Sequence, residues 1–249
     1  MKTRALPRVA IRLAHLGWVI ASGMVALSWF LSRGGQYAVD ARIVWMQWMS
    51  RRFLALLHCN VTVSGVMPTR GLIACNHLGY VDILVIGSLC PAIFVAKSDV
   101  QDWPVFGWLA SRAGTIFVSR QEPTKVAAQL REMESPLSKG YPVVLFPEGT
   151  SSDGSTVLPF RSSLFESAIR TGCPITPAAI GYELSDGDVG REIAYWGDLT
   201  LISHLINLLS KKSFRARLAL GPTRDLLTDR KSEAKLIHLE VSEIHHSLP

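Results

Sequence analysis

Twenty consecutive residues, Leu13 to Ser32, contain no Lys, Arg, Asp or Glu. Wound as an α-helix at about 1.5 Å per residue, the run is ~30 Å long, the thickness of a bilayer core. Trp18 and Trp29 stand toward its ends, where amphipathic rings favour an interface. Lys2, Arg4, Arg8 and Arg12 form a basic leader of the kind that precedes a cleaved signal peptide. The apolar run is long for that, however, and no A-x-A-like cleavage site follows. It is therefore read as a retained membrane segment. A second apolar stretch runs from Ala41 to His58, after the break at Arg33-Gly34-Gly35. Arg51 and Arg52 interrupt it and make a second full crossing costly, so an interfacial or packed helix fits better. Basic residues are balanced on the two sides of the first run, four before it and Arg33, Arg42, Arg51 and Arg52 after it. Flanking charge thus assigns no orientation. A spanning helix, a hairpin dipping into one leaflet and a buried core hairpin all stay open.

The 249 residues suffice for one sizeable core. Hydrophobic residues make up 48%, charged residues only 18%, and the mean hydropathy is +0.24, a surplus that needs an apolar environment. The net charge of +6 points to an anionic partner: membrane lipid, nucleic acid or a phosphorylated substrate. Cys59, Cys75, Cys90 and Cys173 form no C-x-x-C pair, so reduced, mostly buried thiols are expected instead of disulfides or zinc.

From Val61 onward, short aliphatic runs alternate with helical patterns. Strands are predicted at Val61–Ser64, Leu72–Cys75, Ile93–Ala96, Thr115–Val118, Val143–Phe146, Ile175–Ile180 and Arg215–Leu220. Helices are predicted at Asp82–Leu89, Thr124–Ser138 and Leu164–Thr171, with a polar amphipathic helix over Asp229–Ser247 that turns Leu236, Leu239 and Ile244 inward. The expected fold is α/β, a largely parallel mixed sheet flanked by helices and preceded by a hydrophobic helical hairpin. Residues 1–58 form the anchoring segment and 59–249 the α/β domain.

In such folds ligands gather beyond the carboxyl ends of strands. Leu72–Cys75 is followed at once by Asn76-His77-Leu78-Gly79-Tyr80-Val81-Asp82. A histidine just ahead of a helix can meet a carboxylate five residues on, which accepts its N–H, fixes its tautomer and steadies its cation. By itself this spacing is weak, since a helix-capping histidine and an ordinary first-turn aspartate match it too. Val143-Val144-Leu145-Phe146 likewise ends in Pro147-Glu148-Gly149-Thr150-Ser151, bringing a carboxylate, a glycine and hydroxyls to the same rim. A polar turn with no further role is the plainer reading of that segment.

Together these segments resemble the glycerolipid acyltransferase family, typified by 1-acylglycerol-3-phosphate acyltransferase. Asn76-His77 with Asp82 matches its N-H-x-x-x-x-D box, and Phe146-Pro147-Glu148-Gly149-Thr150 its F-P-E-G-T box. Gly114-Thr115-Ile116-Phe117-Val118-Ser119-Arg120 is similar to the second box, and Ile175-Thr176-Pro177-Ala178-Ala179-Ile180 to the fourth. The resemblance covers residues 58 to 222. It implies that His77 takes the proton from an acceptor hydroxyl as that oxygen attacks an acyl thioester, with Asp82 orienting His77. It also implies that Asn76, Lys97, Arg120, Glu148, Gly149, Thr150 and Arg161 bind substrate. A thioester is already activated, so no metal or cofactor is expected beyond acyl-CoA or acyl-carrier protein as donor. The implied acceptor is a lysophospholipid, lysophosphatidate first. One departure weakens that choice: the family's third box ordinarily continues with arginine, and here the position is Ser151. Relatives with small polar residues there include acyltransferases for lyso-ornithine lipid.

A non-catalytic basic protein is the rival class, on the cluster Lys211, Lys212, Arg215 and Arg217. No helix-turn-helix, zinc-finger or RNA-binding signature accompanies it, so no nucleic-acid partner is expected, and a face next to anionic lipid explains the charge. The resemblance and the reduced cysteines imply a site at the cytoplasmic face of the cell membrane.

Overall fold

The structure is a computed structural model that describes residues 6–34, 38–119, 128–225 and 229–248. Seven strands form one sheet: β1 (Cys59–Ser64), β2 (Gly71–Cys75), β3 (Ile93–Lys97), β4 (Ile116–Val118), β5 (Pro142–Leu145), β6 (Ile175–Glu183) and β7 (Phe214–Leu220). Their order is β1-β7-β6-β2-β5-β3-β4. Every pairing is parallel except β6 with β7, so β1 and β7 run against the other five. β2 and β5 are buried at every position, which is why both read as unbroken aliphatic runs instead of alternating ones. The expected strands are all present, and β6 continues three residues past its expected end to Glu183.

Two long helices, α1 (Leu6–Gly34) and α2 (Ala38–Leu57), precede the sheet and pack on each other. α1 is the one helix among the described residues long and apolar enough to cross a membrane. Val9, Leu16, Val19 and Leu27 face inward, while Ile11, Trp18, Val25 and Trp29 are exposed. Gly23 lets the hairpin close: a Cβ there would sit 2.3 Å from Met49 Sδ, and the Gly23 carbonyl accepts the Trp45 indole N–H at 2.8 Å. Trp45, Met49 and Phe53 share one buried cluster with Ile73, Val144 and Ile180. The change at residue 58 is therefore one of secondary structure and not a break in the core.

Two residues of the basic leader have a different role from the one expected. Arg12, 5% exposed, donates to the carbonyls of Leu209 (3.1 Å), Lys211 (2.5 Å) and Lys212 (3.0 Å), and Arg8 donates to Ser210 O at 2.6 Å. Three further helices are α3 (Tyr80–Leu89), α4 (Leu201–Ser210) and α5 (Arg230–Ser247). The arginines thus satisfy the orphan carbonyls at the C-terminus of α4 and complement its dipole. Lys2 and Arg4 lie outside the described residues.

Other corrections are local. The helix expected over 124–138 is interrupted at 132–133 and resumes as Glu134–Ser138, with 124–127 outside the described residues. Pro136 has no N–H for the carbonyl of Glu132 and its ring would clash there, which breaks the ladder. In α5 the buried stripe is Ala234, Ile237 and Val241, while Leu239 is 58% exposed. Leu236 and Ile244 are half-buried. The register is set by Glu233, whose buried carboxylate is bonded by Arg224 at 2.7 Å. The basic cluster is largely neutralised: Arg215 and Arg217 pair with Glu183, and Lys211 with Glu192.

Candidate active site

The central parallel strands β2 and β5 end side by side. Their register pairs Ala74 with Leu145, and the same offset continues to His77 and Glu148. The His77 backbone is clasped by the neighbouring loop from both sides. Its N–H donates to Glu148 Oε1 at 3.0 Å, and its carbonyl accepts the Ser152 N–H at 2.9 Å. The imidazole stacks on Phe146, centroids 4.0 Å apart and planes 21° from parallel. The two motif segments thus form one unit with the histidine ring fixed in orientation.

His77 Nδ1 lies 2.8 Å from Asp82 Oδ2. Asp82 is the third residue of α3 and wholly buried, and its charge is offset by four donors. Oδ2 also accepts the N–H groups of Leu78 (2.7 Å) and Gly79 (2.9 Å), and Oδ1 accepts the Tyr182 hydroxyl at 2.5 Å. A buried carboxylate is tolerable only when satisfied in this way. With the Nδ1 proton held by Asp82, the lone pair of the neutral ring is on Nε2. Nε2 makes no hydrogen bond among the described residues, and His77 lines the main cavity. Burial, then Asp82, pushes the Tyr182 hydroxyl well above its ordinary value, so it stays protonated as a donor. Sequence reasoning missed Tyr182, which lies two residues past the fourth box. Its one signal was the inward-facing period of β6 carried on from Ile180.

The cavity holds about 950 Å³. Its lining is apolar at Leu16, Trp45, Met49, Phe53 and Leu209. It also carries the cations Lys97, Arg131 and Arg161, with Arg170 and Arg230 both paired to Glu166. His77 lines the same cavity.

The remaining expected residues separate. Gly149 has φ of 70°, a left-handed conformation that favours glycine, and a Cβ there would press on the Arg161 side chain, with Nε at 2.8 Å. Arg161 is anchored by its N–H on Pro147 O at 2.9 Å and makes no ion pair among the described residues. Lys97, at the end of β3, pairs with Asp99. Gly149, Thr150, Arg161 and Lys97 all line the cavity. Arg120 lies outside the described residues.

Two of the expected residues turn polar groups onto the backbone. Asn76 is 1% exposed, donates to Ile180 O at 3.0 Å and accepts the Ile180 N–H at 2.8 Å. Its amide is spent stitching β2 to β6, because β2 ends at Cys75 while β6 runs on to Glu183 and Ile180 lies past the last strand pair. Glu148 is 3% exposed and faces the His77 backbone, with Oε2 buried and unbonded among the described residues. Burial chiefly, and Asp82 as well, raise its carboxyl to about 8 against the bonding from His77 N–H, so it is mostly protonated at neutral pH. Ser151, the departure noted in the third box, turns its hydroxyl onto Tyr195 O at 2.6 Å.

A lone-pair nitrogen backed by a shielded carboxylate, on a cavity with both apolar and cationic lining, is the equipment of an enzyme that transfers acyl groups to hydroxyls. Sequence comparison agrees. A family model described as Acyltransferase matches residues 58–181. The chain is 34% identical over 206 residues to the lyso-ornithine lipid O-acyltransferase of Pseudomonas aeruginosa, covering 81% of this chain and 79% of that one. It is 31% identical over 173 residues to the 1-acyl-sn-glycerol-3-phosphate acyltransferase of Neisseria meningitidis, covering 68% of each. Among solved structures, the 1-acyl-sn-glycerophosphate acyltransferase PlsC of Thermotoga maritima superposes with a TM-score of 0.74 at 21% identity, covering 99% and 97% of the two chains. The chain belongs to the acyltransferase family, and it is an O-acyltransferase.

Proposed function

We propose that this enzyme transfers a fatty acyl group from acyl-CoA or acyl-carrier protein to the free hydroxyl of lyso-ornithine lipid, at the cytoplasmic face of the membrane. The observation that carries the reaction is the 2.8 Å contact of His77 Nδ1 with Asp82, which leaves Nε2 as the base on the cavity. Nε2 takes the hydroxyl proton as the acceptor oxygen bonds to the thioester carbonyl. The tetrahedral adduct collapses, the C–S bond breaks, and the imidazolium returns its proton to the departing thiolate. Asp82 stabilises the transient cation. The apolar lining from Leu16, Trp45, Met49 and Phe53 suits an acyl chain.

The family resemblance by itself favours lysophosphatidate, whose phosphate carries up to two negative charges. At the position that ordinarily supplies an arginine, Ser151 supplies a hydroxyl tied to the backbone of Tyr195. An ornithine head carries one carboxylate and one ammonium, and needs fewer cations. Similarity to lyso-ornithine lipid O-acyltransferases from Pseudomonas aeruginosa and Rhizobium meliloti, at 34% and 35% identity, supports the same choice. Lysophosphatidate remains the second reading because Arg161 stands without an ion-pair partner among the described residues on the cavity wall. The exposed Ile11, Trp18, Val25 and Trp29 of α1 support attachment to lipid. The test is thiol release from acyl-CoA by purified enzyme in mixed micelles with lyso-ornithine lipid, lysophosphatidate or no acceptor. Preference for lysophosphatidate would overturn the acceptor, and release without any acceptor would overturn transfer in favour of hydrolysis.

A further inference from the structure

Beside His77 the cavity wall is aromatic, and proton transfer makes no use of it. Tyr80, Trp103 and Tyr195 all line the cavity. Their ring centroids lie 6.1 Å apart for Tyr80–Trp103, 5.5 Å for Tyr80–Tyr195 and 5.4 Å for Trp103–Tyr195. Trp103 stands nearly perpendicular to both partners, at 89° and 86°, so the three rings form a corner and not a flat stack. Behind them the Tyr80 hydroxyl lies 2.8 Å from Nδ1 of His204, a residue 3% exposed. Burial lowers His204 to about 4, so the imidazole is neutral and brings no positive charge to the wall.

The corner is built into the catalytic loops. Tyr80 follows His77 by three residues. Tyr195 belongs to a strap after the short helix Val189–Glu192, outside all four boxes. Its N–H donates to Leu78 O at 2.8 Å and its carbonyl accepts the Ser151 hydroxyl at 2.6 Å. Gly79 makes room for the strap, since a Cβ there would lie 2.8 Å from that of Tyr195. The family's arginine would project from position 151 toward this strap. Here the position is neutral, and Lys97 and Asp99, the charged lining residues nearest in sequence to Trp103, pair with each other. Three aromatic rings with no unpaired charge from those two residues favour a positively charged guest.

We propose that the Tyr80–Trp103–Tyr195 corner is the subsite for the side-chain ammonium of the acceptor's amino-acid head, held by cation–π attraction. The inference rests on the lyso-ornithine lipid reading and adds to it the group that selects the head. The head's carboxylate is then left for the cations of the same cavity, Arg161 among them.

The experiment compares lyso-ornithine lipid, its side-chain N-acetyl derivative and lysophosphatidate as acceptors in mixed micelles with acyl-CoA. Wild-type enzyme is expected to favour the free ammonium over the acetylated acceptor by about 10-fold in kcat/KM. Trp103→Leu and Tyr195→Leu are expected to narrow that ratio to about twofold, and Tyr80→Phe, which keeps its ring, to preserve it. The ratio is internal to each variant, so a partly unfolded preparation still reports it. The wild-type enzyme needs no substitution at all for its own ratio to be read. A wild-type ratio near one, or a ratio unmoved in both leucine variants, overturns the subsite while leaving the acceptor assignment intact. Turnover of lysophosphatidate alone overturns both.

Discussion

Replacing Glu148 separates a substrate ligand from a backbone clamp. Its carboxyl is 3% exposed, accepts the His77 N–H at 3.0 Å and is raised by burial to about 8 from an ordinary 4.5. The group works as a neutral acid, and Glu148→Gln keeps both its charge state and its acceptor oxygen. That variant is expected to retain activity within about tenfold of wild type at pH 7, whereas Glu148→Ala leaves a buried N–H unpaired, at about 1–3 kcal/mol, and frees the catalytic loop. Stability gives a second reading. Because the folded pKa exceeds the unfolded one, the folded state keeps a proton that the unfolded chain releases between pH 4.5 and about 8. Wild-type stability should therefore fall as pH rises through that window, by at most about 5 kcal/mol at ~1.4 kcal/mol per unit, and level off above it. Glu148→Gln lacks this slope. In thermal melts of detergent-solubilised enzyme the two proteins should nearly coincide at pH 5, and by pH 9 the glutamine variant should melt several degrees higher, at about 2–4 °C per kcal/mol. Parallel melting curves across the range, or an inactive glutamine variant of native stability, would refute the neutral-clamp argument.

Other outcomes follow from the same geometry. His77→Ala should lower kcat at least ~10²-fold in the thiol-release assay with little change in melting temperature, since general-base catalysis is what it loses. Tyr182→Phe removes one of the four donors to Asp82 and should cost about tenfold in kcat, read from the same assay with folding checked by circular dichroism. Ser151→Arg should raise the lysophosphatidate to lyso-ornithine lipid ratio of kcat/KM by about tenfold, the effect of one charge-assisted contact. Arg12→Ala uncaps the carbonyls at the end of α4 and should lower the melting temperature by several degrees without altering kcat, which differential scanning fluorimetry can follow.

The sheet was legible because β2 and β5 are buried on both faces and so appear as uninterrupted aliphatic runs. Local chemistry was legible where partners lie close in sequence: His77 and Asp82 meet across five residues at the start of α3. Long-range partners left no such trace. Tyr182 reaches Asp82 across 100 residues, and Arg12 reaches the end of α4 across about 200. Asn76 and Glu148 carry motif identities that suggest ligands, yet their polar atoms are turned onto backbone groups of Ile180 and His77.

The sequence by itself determined the strand set, the pairing of His77 with Asp82, and an N-terminal helix of membrane-spanning length, since periodicity and short spacings are properties of the chain alone. Only the tertiary structure decided that α1 is bound into the same core as the sheet. It also set Glu148 as a clamp behind His77 and made an aromatic corner from residues 80, 103 and 195. The physical reason is that hydrogen-bond partners and burial are fixed by which segments the sheet order makes neighbours, and that order reverses near its middle, setting β2 between β6 and β5.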